Sequence, residues 1–487
     1  MIFNSFIFAL FFFIIYFLYW FTNPYKLKLQ NILLLVSSYF FYACWDWRFL
    51  FLLIFSTLLD YFTGLQLEKS RTEKLRKFWF GLSVLINLGF LGFFKYFNFF
   101  SESFAAFVSE FGIQVNPFTL QVILPIGISF YTFHGLSYVI DIYKKRISAE
   151  QNFIDYSVFV CFFPLLVAGP IERATHLLPQ IKKKRVFDYS KSVDGLRQIL
   201  WGLFKKIVIA DQCAEFANQI FNNSADYSGM SLVLGALFFS IQIYGDFSGY
   251  SDIALGVARL MGIELLKNFS YPYFSRDIAE FWRRWHISLS SWFKDYLYIP
   301  LGGNSGGIYK KIRNTFIIFI VSGFWHGANW TFIVWGFLNA LFIIPSIIFK
   351  TNRNNLEIVA KGSLFPTFKE LRSIILTFIL TTITWIFFRA ESMKHALSFI
   401  KSIFVGLLDK ESYVDCLNLF YWEIGLLLPF TILFFFYIEW IGREQPYALA
   451  KIGKNWKSAY RISFYYALTI SLFLVKANVQ EFIYFQF

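Results

Sequence analysis

The sequence predicts an all-α, polytopic integral membrane protein, and three observations carry that expectation. Of its 487 residues 57% are hydrophobic and only 16% charged, with a mean hydropathy of +0.52. Apolar stretches of roughly 18 or more residues recur from end to end, each able to cross the hydrocarbon core as a helix of about 20 residues. The basic residues behind the formal net charge of +14 stand in short clusters between those stretches. They therefore read as topology signals and not as a nucleic-acid surface.

The first stretch, Phe6 to Phe21, lacks a basic leading region and a small-residue cleavage site, so it reads as a retained helix. Clusters at Lys26 and Lys28, at Lys69 to Lys77, and at Lys144 to Arg146 face the cytoplasm by the positive-inside tendency. A loop from about Asn98 to Phe118, carrying Glu102 and Glu110 but no Lys or Arg, then faces outward, as does the N-terminus. Phe153 to Gly169 lies between two basic runs and contains Phe162-Phe-Pro164 and Ala168-Gly-Pro170, so it reads as a broken helix that enters and leaves on one side. Broken helices at membrane depth need protein or a cavity around their freed backbone groups, which points to a central cavity.

Further spans are expected at about Val193 to Ala210, Ser231 to Tyr244, Phe247 to Met261, Asn314 to Phe324, Trp330 to Phe349, Leu371 to Phe388, Leu417 to Trp440 and Ile462 to Val475. The total is about eleven to thirteen membrane segments, some short, re-entrant or interfacial. Lys451, Lys454, Lys457 and Arg461 place the last loop inside and the tail from Ala477 outside. The whole chain reads as one membrane domain: N-terminal helices over 1–118, a core over 119–349, and C-terminal helices with the tail over 350–487. Cys44, Cys161, Cys213 and Cys416 show no CxxC spacing and no histidine cluster, so they read as buried thiols, with neither a disulfide framework nor a metal site.

Several constellations stand out against this apolar background. From Phe281 to Asn304, Trp282, Trp285, Leu289, Trp292 and Phe293 recur at helical spacing opposite Arg283, Arg284, His286, Ser290, Lys294 and Asp295. This pattern is either an interfacial anchor or an amphipathic helix whose arginines grip a phosphorylated donor, with His286 one turn from Arg283 and Ser290. His326 interrupts the apolar run from Val321 to Gly336, flanked by Gly323, Gly327 and Ala328. Ionisable groups at such depth are costly and are functional candidates by default: desolvation favours a neutral imidazole, suited to a general base or an acyl-transfer relay, the alternative being a packing histidine bonded to a carbonyl.

Asp246 and Asp252 sit around a Gly-Ser turn, where they cap two short helices or, with Gln242 on the same helical face as Asp246, line the cavity or orient a histidine or arginine. Ser129, Tyr131 and His134 follow Pro125 and Gly127 at the start of a helix, most simply for packing, and His176 and His395 flank solvated basic loops. The aromatic tail Glu481 to Phe487 is either an interface anchor or, through the Tyr484 phenol, an acyl acceptor.

Taken together these segments resemble the membrane-bound O-acyltransferase family, in its bacterial branch of alginate and peptidoglycan O-acetyltransferases and teichoic acid D-alanyl transfer proteins. The likeness rests on R-R-W-H-I-S-L-S-x-W-F-x-D-Y-L-Y-I-P-L-G-G-N from Arg283 and on W-H-G-A-x-W-x-F-x-x-W-G from Trp325. P-I-G-I-S-F-Y-T-F from Pro125, A-G-P-I from Ala168, D-F-S-G-Y-S-D-I-A-x-G from Asp246 and W-I-F-F-R-A from Trp385 support it.

The resemblance implies that His326 is the catalytic histidine at the middle of a tunnel joining the two membrane faces, with His286 a second essential histidine on the cytoplasmic side. It implies a cytoplasmic thioester donor, acetyl-CoA for acetylating members, whose acyl group alone crosses. Donor-binding or supporting roles then fall to Arg283, Arg284, Ser290, Asp295, Gln242, Asp246, Trp325 and Asn329. Tyr484 resembles the tyrosine at the end of small companion proteins and becomes a candidate relay. Gly302, Gly303, Gly306 and Gly307 and the chain length favour acetyl over D-alanyl transfer. An envelope polysaccharide acceptor, an extracytoplasmic acetyltransferase partner and residence in a bacterial cytoplasmic membrane are implied as well. A transporter or flippase is the rival reading, because broken helices and intramembrane polar groups also build transport sites.

Overall fold

The computed structural model describes residues 1–22, 26–121, 123–166, 169–475 and 480–483. Helices account for the secondary structure among them, with no β-strand. Among the described residues five helices are long and apolar enough to cross a membrane: Trp47–Lys69, Glu73–Ser109, Gly229–Leu260, Trp330–Ile348 and Phe368–Arg389. A sixth crossing is available if Lys410–Ile424 and Leu427–Gly442, bent by 89°, form one broken span.

The chain divides into two compact units, the first comprising residues 1–192 with 257–266. It contains α1 (Phe6–Thr22), α2 (Leu27–Ala43), α3 (Trp47–Lys69), α4 (Glu73–Leu91), α5 (Phe97–Ser109), α6 (Ile128–Tyr143), α7 (Phe153–Cys161), α8 (Phe163–Leu166) and α9 (Ala174–Ile181). A π-helical stretch, Gly92–Tyr96, joins α4 to α5, so the expected loop at 98–118 begins only after Ser109. Phe97 to Ser109 has an apolar face that Glu102 does not interrupt, and Glu110 stands at its C-terminal cap.

Asp60 on α3 accepts from Ser83 Oγ at 2.7 Å and Asn87 Nδ2 at 2.8 Å, so a buried carboxylate ties α3 to α4. The break expected in 153–169 is present between α7 and α8, at Phe162. Arg185, in the basic run expected as a topology signal, is buried and donates to Gln30 Oε1 and Asn31 Oδ1.

The second unit comprises residues 193–256 and 267–487. Its helices are most of α10 (Tyr189–Leu203), α11 (Asp211–Asn222), α12 (Gly229–Leu260), α13 (Ile278–Arg284), α14 (Ile287–Phe293), α15 (Gly307–His326), α16 (Trp330–Ile348), α17 (Phe368–Arg389), α18 (Met393–Gly406), α19 (Lys410–Asn418), α20 (Leu427–Gly442) and α21 (Ser458–Leu474). The two short spans expected around Asp246 are instead one continuous 32-residue helix, α12. Gly245 and Gly249 make no turn there. A side chain at Gly249 would meet the Gly202 carbonyl and the Lys206 amide, and one at Gly245 would meet the Lys205 carbonyl, so these glycines let the 202–206 backbone lie against α12.

Candidate active site

The expected amphipathic helix around His286 is broken. α13 ends at Arg284, α14 begins at Ile287, and His286 between them is left-handed, with φ 42° and ψ 54°. A non-glycine residue there costs roughly 1–2 kcal/mol, so the surroundings must hold it. They do so through a short extended segment: Ile287 N–H donates to the Asn268 carbonyl at 2.8 Å and Ser270 N–H to the Arg284 carbonyl at 2.9 Å. The break turns Trp285 and His286 inward, where both are buried, so the aromatic stripe is core and not an interfacial anchor.

His286 Nδ1 lies 3.0 Å from Asn268 Oδ1, and its ring stands edge-on to Phe247 at 4.6 Å between centroids. Nε2 is buried without a hydrogen-bond partner among the described residues. Burial pushes the His286 pKa down to about 3, leaving the imidazole neutral.

Arg284 is not available to a donor, since its guanidinium is bonded to Glu280 Oε1 and to the Ser270 carbonyl. Arg283 does face the cavity described below, steadied by the carbonyls of Asn352 and Asn355. Ser290 lines the same cavity, while Asp295 lies in a π-helical turn, Lys294–Tyr298, that follows α14.

His326 is the last residue of the 20-residue α15, and Gly327 opens the turn into α16. The two helices pack face to face because Gly323 lies under the Phe332 carbonyl and Gly336 under the Phe319 carbonyl. Asn329 caps α16 by accepting from Thr331 N–H at 3.0 Å and donates to the Glu391 carbonyl. His326 is buried and edge-on to Trp335 and Phe388, with ring centroids 5.0 and 5.3 Å away. Trp325 touches both histidines: its ring centroid is 4.8 Å from that of His326 and 6.2 Å from that of His286. The structure therefore brings His286, Trp325 and His326 together.

The same helices, α13 to α16, line a cavity of about 690 Å³. Arg283, Lys294, Lys311, Lys350 and Arg353 line it, and no carboxylate among the described residues does. Trp282, Ile287 and Phe319 give it an apolar wall and Ser322 a hydroxyl, so its lining includes the residue after His286 and the one a helical turn before His326, though neither histidine itself. An anionic ligand with an apolar or thioester end matches such a lining.

Asp246 neither orients a histidine nor caps a helix. It pairs with Lys206 at 2.7 Å, and Lys206 also pairs with Asp211 at 2.8 Å. Gln242, one turn earlier on α12, is buried. The described part of the tail docks on this pair: Ile483 N–H donates to Asp246 Oδ2 at 2.8 Å, Lys206 Nζ donates to the Gln480 carbonyl at 3.1 Å, and Phe482 packs on Tyr250 and Phe247. Phe482 and Ile483 are buried, which a surface anchor would not be. Tyr484 lies outside the described residues.

Sequence reasoning missed Lys205, Lys206 and Asn268. The two lysines inside the apolar run Val193 to Ala210 were the signal available for the buried ion pairs, whereas Asn268 sits in an unremarkable segment.

The remaining histidines serve packing. His134 Nε2 accepts from the Glu172 amide, His176 is bonded to the Glu172 carboxylate, and His395 Nε2 faces Ser224 Oγ, so the last two are less solvated than expected. Cys161 and Cys213 are buried thiols, but Cys44 is exposed and Cys416 partly so. Among the described residues no three His, Cys, Asp or Glu side chains gather to hold a metal ion.

Residues 143–380 match the family described as MBOAT, membrane-bound O-acyltransferase. A probable alginate O-acetylase of Pseudomonas aeruginosa is 39% identical over 413 residues, covering 84% of this chain and 76% of that protein. The chain belongs to the membrane-bound O-acyltransferase family. As a member it is an acyltransferase and a multi-pass membrane protein. The peptidoglycan O-acetyltransferase of Helicobacter pylori is 36% identical over 401 residues, 77% of this chain and 73% of that protein. A teichoic acid D-alanyltransferase of Streptococcus thermophilus is 29% identical over 273 residues, 50% of this chain and 63% of that protein.

Proposed function

We propose that this chain moves an acetyl group from a cytoplasmic acetyl-CoA donor across the membrane for O-acetylation of a cell-envelope polysaccharide, an alginate-like polymer or peptidoglycan. The observation that carries the reading is the cavity lined, among the described residues, by five cations and no carboxylate, with Ile287 beside His286 and Ser322 one helical turn before His326 in its lining. The nucleotide and diphosphate of the donor bind at the cationic lining, and the thioester extends toward Trp325. His326 takes the proton of the attacking hydroxyl, the acyl C–S bond breaks as the C–O bond forms, and the departing thiolate receives that proton. His286, neutral and buried, assists the same transfer.

In this reading the catalytic core spans 119–349, and the shorter apolar helices such as α1, α2 and α6 add crossings to reach eleven to thirteen membrane segments. The chain lies in a bacterial cytoplasmic membrane with both termini outside, and a tunnel connects the donor cavity to the outer face. There the group passes to an extracytoplasmic partner, with Tyr484 as candidate carrier. Acetyl is favoured over D-alanyl because the acetylases named above match more of this chain, at higher identity, than the D-alanyltransferase does. Membrane vesicles given acetyl-CoA labelled in the acetyl group test the reading. Label should appear as base-labile ester in added envelope polysaccharide, and label left wholly on CoA, with no thiol released, rejects it.

A further inference from the structure

The geometry points to Asn268 as a positioning residue that fixes His286 as its Nδ1–H tautomer and leaves Nε2 as the free base. This rests on the reading of His286 as part of the transfer machinery. The assignment follows from the donors that converge on one atom. Ser288 N–H approaches Asn268 Oδ1 at 3.4 Å, and Ser288 Oγ lies 3.0 Å from the same atom. A backbone N–H can only donate, so the Asn268 atom facing it is the amide oxygen and not the nitrogen. His286 Nδ1, 3.0 Å from that oxygen, must then carry the proton, because two acceptors would repel.

The remaining ring nitrogen holds a lone pair, and it is the one buried without a partner among the described residues. An orphan acceptor on a fully buried imidazole costs stability unless something arrives to use it. Here it belongs to the ring that stands against Trp325 and is bonded in sequence to cavity-lining Ile287.

The backbone makes this arrangement rigid. The Asn268 carbonyl accepts from Ile287 N–H and Ser270 N–H reaches the Arg284 carbonyl, so Asn268 and His286 are registered across two extended stretches of chain, and the left-handed turn at His286 aims the ring back at the amide. Asn268 is itself buried. A neutral amide here holds the tautomer without adding charge. The ionisable groups nearest in sequence to the packed elements are Lys267 beside Asn268, Asp246 beside Phe247, Arg284 on α13 and His326 beyond Trp325. Of these, Arg284 is paired with Glu280 and Asp246 with Lys206.

The test uses the full-length protein in lipid bilayers. With ¹⁵N-histidine labelling there are five histidines, and His286→Gln identifies the signal of interest by subtraction. In solid-state NMR, wild-type His286 should show a protonated Nδ1 and an unprotonated Nε2. Asn268→Asp should keep that tautomer and move the acid limb of acyl transfer upward, because a carboxylate stabilises the imidazolium. Asn268→Leu should mix the tautomers and lower kcat by on the order of 10²-fold with KM little changed. Ser288→Ala offers a milder check: it removes one donor from the oxygen and should leave the tautomer intact.

A wild-type His286 protonated at Nε2, or an unchanged tautomer in Asn268→Leu, overturns the proposal. Full activity in His286→Gln would instead reject the catalytic reading while leaving the tautomer result standing, so the two failures are distinguishable.

Discussion

Lys206 and Asp246 form a 2.7 Å ion pair whose side chains are 1% and 3% exposed, and the last described residues of the chain are bonded to both members. Taking one partner away leaves an uncompensated buried charge, which costs about 3–5 kcal/mol. Lys206→Met should therefore lower thermal stability in detergent sharply, and a cysteine substituted for Ile483 should gain maleimide reactivity in that background. Lys206→Met combined with Asp246→Leu should recover part of the lost stability, although Asp211 still lacks its partner. An equally stable single variant whose introduced thiol stays unreactive would show that the pair does not seat the tail.

For the cationic cavity, proposed as the donor site, KM is the expected readout. Reversing two of its cations, Lys350→Glu with Arg353→Glu, removes charge-assisted contacts worth about 1.5–3 kcal/mol each. The KM for acetyl-CoA should rise on the order of 10²- to 10⁴-fold with a smaller change in kcat, and added salt should blur the difference. Initial rates of CoA release across a donor titration measure it, and an unchanged KM would remove the donor from this cavity.

The glycine contacts predict a steric effect. Gly323→Val forces a side chain onto the Phe332 carbonyl and separates α15 from α16 at the turn that carries His326. Overpacking of this kind costs about 1–3 kcal/mol. Transfer activity should fall even in protein that remains folded and inserted, as judged by the stability and rate of the same detergent-purified sample.

For pH, the sign follows from burial. Because His286 is held at about 3, it is already deprotonated throughout the working range. The rate should show no acid limb near the ordinary histidine value of about 6.5 from this residue in the wild type, and one should emerge only when a carboxylate replaces Asn268. A wild-type limb there that vanishes in His286→Gln would contradict the buried, neutral assignment.

The membrane class, the helix pair around His326 and the break in 153–169 were legible because each depends on local pattern: hydropathy, an isolated histidine, a proline. α12 was not. Gly245, Ser248 and Gly249 read as a turn from sequence, yet the two glycines serve close packing against 202–206, a tertiary fact. The position of His286 was missed for the same reason, since its left-handed conformation is imposed by hydrogen bonds to Asn268, 18 residues earlier. Arg283 and Arg284 look equivalent in the sequence. Glu280, one turn before Arg284, separates their fates by occupying that guanidinium.

Under the proposed function an acetyl group passes from a donor in the cationic cavity by way of His326. The most direct measurement is the ester content of envelope polymer formed from acetyl-labelled CoA by vesicles containing equal amounts of wild-type or His326→Ala protein. Labelled ester is expected with the wild type and none above background with the variant, whose insertion and abundance are unchanged. Equal ester formation by the two would contradict it.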